Sequence, residues 1–327
     1  MNVLLLTFIA TALLFDFLNG FHDSANVVAT VIASRAMSPR AALAMTALTN
    51  LVGPFLFGVA VATTIGNEVV SAEAVTIPVA MAALISAIVW NLLTWFFGIP
   101  SSSSHALIGG FIGAALTGFG VGVIHVEGLL KVLLALFVSP LLGLAFGWIV
   151  MNFILWIGGN LTPKVNQVFL KGQWLTSLTL GLSHGTNDAQ KTMGIMTMGL
   201  VAFGVLPSFH VPAWVIAASA ASIALGTALG GWRLIKTMGA GFYRIRPMHA
   251  FASQIAGTVV ILGAALLGGP VSTTQVISST IVGAGAAERV KMVRWGLAGQ
   301  ILMAWVLTIP ATGLLGAAAY WILVRIL

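Results

Sequence analysis

Ten apolar stretches follow one another along the chain with only short polar connections between them. They fall at about 2–34, 41–65, 76–97, 100–120, 129–157, 174–205, 212–230, 248–268, 270–286 and 294–325. A transmembrane helix needs about 20 consecutive apolar residues. Charged residues make up only 6% of the chain, against about a quarter of a soluble domain, which is too few to cover a water-soluble surface. The sequence therefore predicts an all-α polytopic membrane protein.

The first stretch has no basic leader segment and carries Asp16, so we predict a first mature span there rather than a signal peptide. The chain has no cysteine. Disulfides and thiolate metal sites are therefore excluded, and no cofactor is expected.

Basic residues gather in alternate connections. They are Arg35 and Arg40, then Lys164 and Lys171, then Arg233, Lys236, Arg244 and Arg246 in one predicted loop, then Arg289, Lys291 and Arg294. The intervening connections carry Glu68, Glu73 and Glu127 or no charge. By the positive-inside rule the basic connections are cytoplasmic, which places both termini outside.

With this sorting of charge, each half of the chain crosses the membrane about five times. The two halves start on opposite sides of the membrane. We expect a first inverted repeat at 1–157, a short cytoplasmic linker at 158–173 and a second inverted repeat at 174–327. Many secondary transporters have this architecture, with broken helices at the substrate site. Whether 100–120 and 270–286 are full spans or broken, partly re-entrant ones is left open.

Two motifs recur in the same order in both halves. GFHDSAN at 20–26 precedes PSSSSH at 100–105, and GTNDAQK at 185–191 precedes PVSTTQ at 270–275. Asp23 and Asp188 lie 165 residues apart, and Pro100 and Pro270 lie 170 apart. The repetition supports an internal duplication.

Three acidic residues, Asp16, Asp23 and Asp188, lie inside apolar stretches. An ionisable group at membrane depth costs at least about 2.5–3.5 kcal/mol and usually marks a pathway. Polar residues recur at helical spacing around these acids, in one stripe at Asp16, Asn19, Asp23, Asn26 and Thr30 and in another at Ser177, Gly181, His184, Asp188 and Lys191. The structural alternative is that they join helices, with Asp188 and Lys191 as an ion pair. We favour a functional role for the aspartates and a structural one for Asn19 and Thr30.

The Pro-hydroxyl runs predict two helix N-termini, because Pro favours the first turn and Ser and Thr favour the N-cap. Free N–H groups and the positive dipole end would form an anion site there, and two such starts could converge on one oxyanion. The alternative is that these hydroxyls only satisfy backbone groups at helix breaks.

An anion beside two carboxylates needs accompanying positive charge, supplied by protons or sodium on Asp23 and Asp188 or by a divalent metal travelling with the anion. Lys191 could supply part of it. His22 is a candidate proton carrier, or a neutral hydrogen-bonding residue. Because neighbours on a helix point in different directions, His22 needs a local break to act with Asp23, which Gly20 would permit. His184 and His105 are weaker candidates.

GLSHG at 181–185 matches the nucleophile elbow of serine hydrolases. The elbow requires a strand-to-helix turn, whereas this stretch is apolar and helical in pattern. An intramembrane hydrolase using Ser183 and His184 is therefore a minor alternative, and a passive channel is another.

At the two motif pairs the sequence resembles the inorganic phosphate transporter (PiT) family, bacterial branch, over essentially the whole chain. The family motif, Gly-Ala-Asn-Asp with a further Asn three residues on, is matched by GFHDSAN and by HGTND with QK after it. The chain departs from it in having His22 in place of Asn and Lys191 opposite Asn26, and it lacks the large central loop of many members.

The resemblance implies cation-coupled transport of phosphate. Hydroxyls and amides would hold the anion, namely Ser102, Ser103, Ser104, Ser272, Thr273, Thr274, Asn26 and Asn187. Asp23, Asp188 and His22 would couple the cation, the two aspartates binding sodium or a substrate-associated divalent ion. Supporting residues would be Lys191, Gln190, His105, Gln275 and Asp16.

We therefore predict a symporter in a prokaryotic inner membrane that is not an enzyme. It would import phosphate, with or without an accompanying metal, and use protons in preference to sodium. A sulfate permease of the same fold is the alternative. Expected partners are phosphate, the coupling cation and lipid, not nucleic acid, and a homodimer is left open.

Overall fold

The computed structural model describes residues 3–158 and 164–327. In this part of the chain the elements are helical, and a single isolated bridge joins Val70 and Ile124 without extending into a sheet. The all-helical prediction is confirmed.

The helices form two sets with the same order. The first set is α1 (Val3–Ala33), α2 (Pro39–Val52), α3 (Ala60–Thr63), α4 (Ile77–Phe97), α5 (Ser103–Phe119) and α6 (Val126–Gly158). The second set is α7 (Val165–Ala202), α8 (Ala213–Leu229), α9 (Trp232–Ala240), α10 (Pro247–Leu266), α11 (Thr273–Arg289) and α12 (Trp295–Ile326). The last helix of each set carries one internal proline, Pro140 or Pro310. Two repeats, as predicted, make up the fold.

Five helices of the described ranges, α1, α4, α6, α10 and α12, are long and apolar enough to cross a membrane. Two bent helix pairs also have the combined length and composition of a span, or of a re-entrant loop. The segments Pro39–Phe55 and Ala60–Gly66 meet at 68°, and α8 meets α9 at 70°. In α7, 38 residues long, the polar stripe around Asp188 interrupts the apolar run. The helices α5 and α11 have 17 residues each. Thus 100–120 and 270–286, left open above, each contain one short helix that begins a few residues after the proline.

The two repeats exchange their short helices, because α5 packs against α12 and α11 packs against α6. Glycines allow the backbones to approach closely. A Cβ added at Gly113 would lie 2.0 Å from the carbonyl oxygen of Gly313, and one added at Gly283 would lie 2.2 Å from that of Leu144. Small residues at such contacts are typical of packed membrane helices. This exchange places the start of each short helix in the middle of the molecule.

Both short helices begin in the same way. The preceding helix ends near a left-handed glycine, Gly98 (φ 68°) or Gly268 (φ 71°). The helix then starts with a serine N-cap, Ser102 or Ser272, whose side chain accepts a hydrogen bond from the N–H three residues on. The predicted helix starts are present, but Pro100 and Pro270 lie two residues before the caps rather than in the first turn.

Two boundaries differ from the sequence expectation. Residues 159–163 of the expected linker 158–173 lie outside the described residues, and α7 already begins at Val165. Arg233 and Lys236, expected in a loop, lie in α9. Basic residues of three of the four basic connections nevertheless line one cavity of about 670 Å³, namely Arg35, Lys236, Arg244, Arg246 and Arg294.

Candidate functional site

The two central carboxylates lie on the first helix of each repeat, Asp23 on α1 and Asp188 on α7, and both are buried. No break in α1 accompanies Asp23, which corrects the expectation for Gly20. Gly20 instead allows close contact with α8, since a Cβ there would lie 2.1 Å from the carbonyl oxygen of Ile223. His22 still reaches its neighbour, and its Nδ1 lies 2.6 Å from Asp23 Oδ1.

The starts of α5 and α11 converge on these carboxylates. Ser103 donates a hydrogen bond of 3.0 Å to Asp23 Oδ2, and Thr274 donates one of 3.2 Å to Asp23 Oδ1. Thr273 donates one of 3.0 Å to Asp188 Oδ2. Hydroxyls from both repeats therefore meet at one buried cluster, as an oxyanion site between two helix N-termini requires.

The remaining predicted hydroxyl groups make hydrogen bonds within one helix start or between the two helix starts. Ser102 caps α5 and lies 2.6 Å from His105 Nδ1, while Ser272 caps α11. Ser104 donates a hydrogen bond of 3.0 Å to the carbonyl oxygen of Val271. These contacts hold the two helix starts against each other, and in this closed geometry they occupy Ser102, Ser104 and Ser272.

The two predicted asparagines have unequal surroundings. Asn26 Nδ2 donates to Thr274 Oγ1 at 3.0 Å and to Thr273 Oγ1 at 3.2 Å, so it is part of the central cluster. Asn187 makes only a long contact of 3.5 Å to the carbonyl oxygen of Gly269, and its buried Oδ1 has no hydrogen-bond partner among the described residues. An unpartnered buried acceptor of this kind can receive a donor from a ligand.

A second group of hydroxyls surrounds His22. Its Nε2 lies 3.3 Å from Thr94 Oγ1, and Ser101 donates a hydrogen bond of 2.7 Å to Thr94. Sequence reasoning did not single out Thr94, and it passed over Ser101 in the same serine run. Thr94 is a single threonine within α4, and no sequence motif points to it.

His184 is more central than the sequence analysis expected. Its Nε2 lies 3.1 Å from Asp188 Oδ2, and its Nδ1 lies 3.1 Å from Asn50 Oδ1. Ligand atoms of Asp23, His184 and Asp188 all lie within 4.8 Å of one another. One imidazole and two carboxylates can hold a small cation. The four-residue spacing of His184 and Asp188 on one helix was the available signal.

Lys191 is buried beside Asp188, and its ammonium donates a hydrogen bond to Asp188 Oδ1. The ion pair proposed as a structural alternative is therefore present. It lies inside the cluster, because the other oxygen of the same carboxylate accepts from Thr273.

The other supporting residues contact neighbouring elements. Gln190 Oε1 accepts hydrogen bonds from the N–H groups of Val61 (2.8 Å) and Ala62 (3.3 Å), and so holds the start of α3. Gln275 Nε2 lies 3.3 Å from His105 Nδ1, across the two helix starts. Asp16 accepts a hydrogen bond of 2.8 Å from Thr192. These residues position helices around the cluster.

The hydrolase alternative requires a nucleophile elbow between a strand and a helix. Ser183 instead lies inside α7 and donates its hydroxyl to the carbonyl oxygen of Thr179 at 2.8 Å. The adjacent His184 faces Asn50 and Asp188 rather than Ser183. The geometry of a serine nucleophile and its base is not formed.

Comparison with known proteins agrees with this geometry. The model of the phosphate transporter family matches residues 19–162 and 158–316, one segment in each repeat. The chain belongs to this family. Family members are transporters, so the prediction of a non-enzyme is confirmed, and nothing in the comparisons supports the sulfate alternative.

Two relatives match this chain over nearly the full length of both proteins. The chain is 45% identical over 320 residues to a "Probable low-affinity inorganic phosphate transporter" of Rhizobium meliloti, covering 97% of this chain and 96% of the relative. A protein of the same name from Bacillus subtilis is 43% identical, with 98% and 97% covered. A solved structure titled "The sodium-dependent phosphate transporter" matches with a TM-score of 0.89 and 24% identity over 100% of both chains, which shows the shared fold.

Proposed function

We propose that this phosphate transporter imports inorganic phosphate across a bacterial inner membrane by symport with a cation, and that the cation is a proton in preference to sodium. The observation that carries the proposal is the convergence of Ser103, Thr273 and Thr274 on Asp23 and Asp188. Hydroxyl donors at two helix starts can hold phosphate oxygens, and the carboxylates beside them require accompanying positive charge.

The arrangement suits alternating access. The site residues are buried, with Asp23 1% exposed and Asp188 fully covered, so the site is closed in this structure. Each repeat contributes one carboxylate and one helix start, and rocking of one repeat against the other opens such a site to one side at a time. Opening would separate Ser103 from Thr274, which donate to the same carboxylate.

The group beside Asp23 supports a proton as the coupling ion. His22 brings an imidazole, a side chain often used to carry protons, to within 2.6 Å of the carboxylate that faces both helix starts. Proton delivery through His22 would neutralise Asp23 as phosphate binds. Sodium is the second candidate, supported by the printed title of the structural neighbour and by the cluster of Asp23, His184 and Asp188.

Proteoliposomes containing the purified protein test the proposal. We expect labelled phosphate to accumulate when the outside is acidic and sodium is absent, with little competition from excess sulfate. Addition of a chelator in a parallel arm tests transport of a metal–phosphate complex. Accumulation that follows a sodium gradient and ignores pH would replace the proton by sodium, and equilibration without accumulation would contradict symport.

A further inference from the structure

The two central carboxylates have different buried partners although they occupy matching positions. The offset of 165 residues that relates Asp23 to Asp188 also relates Asn26 to Lys191. Asn26 is a neutral amide that donates to Thr273 and Thr274. Lys191 brings a positive charge to the carboxylate of its own repeat. The repeat symmetry is therefore broken in charge at this position beside the central carboxylates.

The ammonium of Lys191 lies where a bound cation would lie. It contacts Asp188 Oδ1, while His184 Nε2 and Thr273 Oγ1 lie 3.1 Å and 3.0 Å from the other oxygen of that carboxylate. The Lys191 side chain is 1% exposed. An ammonium is a compact point charge on a flexible stem, and burial of such a charge is tolerated only beside a partner.

We propose that Lys191 is a tethered cation that permanently fills the cation position at Asp188, so that only Asp23 exchanges its cation during transport. This inference rests on the proposed symport of phosphate with a cation. Two carboxylates and one ammonium leave one negative charge before phosphate enters. The transporter then needs one fewer mobile cation per phosphate than a site with an asparagine in both repeats.

A purely structural ion pair would lie away from the substrate cluster. Here the same carboxylate accepts from Thr273 at the start of α11, and Thr273 is also contacted by Asn26 from the other repeat. The fixed charge is therefore linked through Asp188 to Thr273, one of the hydroxyls assigned to phosphate. It contributes attraction for the anion in every turnover without leaving the protein.

Lys191→Asn, which restores the first-repeat residue, tests the proposal in proteoliposomes. We expect phosphate uptake by this variant to be stimulated by added sodium by roughly tenfold, the factor that about 1.4 kcal/mol of binding free energy gives. The phosphate accumulation ratio at fixed ion gradients should show one more positive charge moved per phosphate. Lys131→Asn is the matched control, because Lys131 pairs with Glu68 at a half-exposed position, and it should behave as the unmodified protein.

Removal of Lys191 alone leaves a buried carboxylate unpaired, which can prevent folding. The double variant Asp188→Asn/Lys191→Asn removes both charges and leaves no carboxylate that could take up sodium in the second repeat, so we expect sodium to have no effect on phosphate binding by the purified double variant. Single-variant uptake that is indifferent to sodium, or sodium stimulation of phosphate binding in a folded double variant, would overturn the tethered-cation role. Absence of phosphate accumulation by the unmodified protein would instead overturn the proposed symport.

Discussion

Thr274, in the first turn of α11, donates a hydrogen bond of 3.2 Å to Asp23 on α1, which lies 251 residues earlier in the chain. The same carboxylate accepts from Ser103 at the start of α5. One acidic residue thus joins the helix starts of both repeats. Separation of the two helix starts would break at least one of these contacts, and under the proposed symport this would link cation binding at Asp23 to the opening of the site.

Asp23→Asn tests this link. The amide keeps the size of the side chain but cannot carry a cation or a proton in the same way, so we expect loss of coupled phosphate uptake with the protein still folded. Uptake into energised vesicles and the thermal unfolding of the purified variant provide the two readouts. Glu68→Gln, a half-exposed carboxylate of an ion pair, is the control and should retain uptake. Normal accumulation by Asp23→Asn would remove Asp23 from the mechanism.

Ser102 and Ser103 are neighbours with separable roles. Ser102 caps α5, so Ser102→Ala should lower the free energy of unfolding by about 1 kcal/mol. Ser103 donates to Asp23 rather than capping the helix. Ser103→Ala should therefore raise the KM for phosphate with little change in the unfolding temperature. If both changes had equal effects on the KM for phosphate and on stability, this would contradict the separate roles of Ser102 and Ser103.

His22 is expected to carry the proton dependence. Replacement by Asn, the residue of the family motif, should reduce the stimulation of phosphate uptake by an acidic exterior while leaving phosphate binding in place. Initial uptake rates measured across external pH, with phosphate binding measured separately, distinguish these effects. His210→Asn is the control, since His210 lies at an exposed position with its Nδ1 3.2 Å from the carbonyl oxygen of Ser208. An unchanged pH profile for His22→Asn would assign the proton to another residue.

The glycine contacts between repeats set the position of the helix starts. Gly113→Ala would place a Cβ 2.0 Å from the carbonyl oxygen of Gly313, so we expect α5 to shift and the stability to fall by about 1–3 kcal/mol. Gly299→Ala on α12 is the control, because an added Cβ there meets no atom within 4 Å. Thermal unfolding of both variants in detergent provides the measurement. Equal unfolding temperatures for the two variants would show that α5 and α12 can move apart at Gly113 without loss of stability.

The repeated features of the site were predictable from the sequence because they depend on the spacing of residues along the chain. The two copies of the acidic motif, the serine-capped helix starts at Ser103 and Thr273, and the stripe containing Asp188 and Lys191 all follow from order and periodicity along the chain. Duplication made each of them visible twice. Their meeting at one cluster was expected from the inverted repeat.

The missed features depend on tertiary packing between segments. Asn50 reaches His184 because α2 packs against α7, and Thr94 reaches His22 because α4 packs against α1. No periodicity within α2 or α4 specifies those contacts. The unbroken α1 was also missed, because a glycine beside an acidic motif was interpreted as a hinge although it serves close packing against α8.

The most direct test of the account is an experimental structure of the protein with phosphate bound. We predict density for one tetrahedral anion between the starts of α5 and α11, within hydrogen-bond distance of Ser103 and of Thr273 or Thr274. Phosphate bound by hydroxyls of one helix start alone, or at a position remote from Asp23 and Asp188, would contradict it.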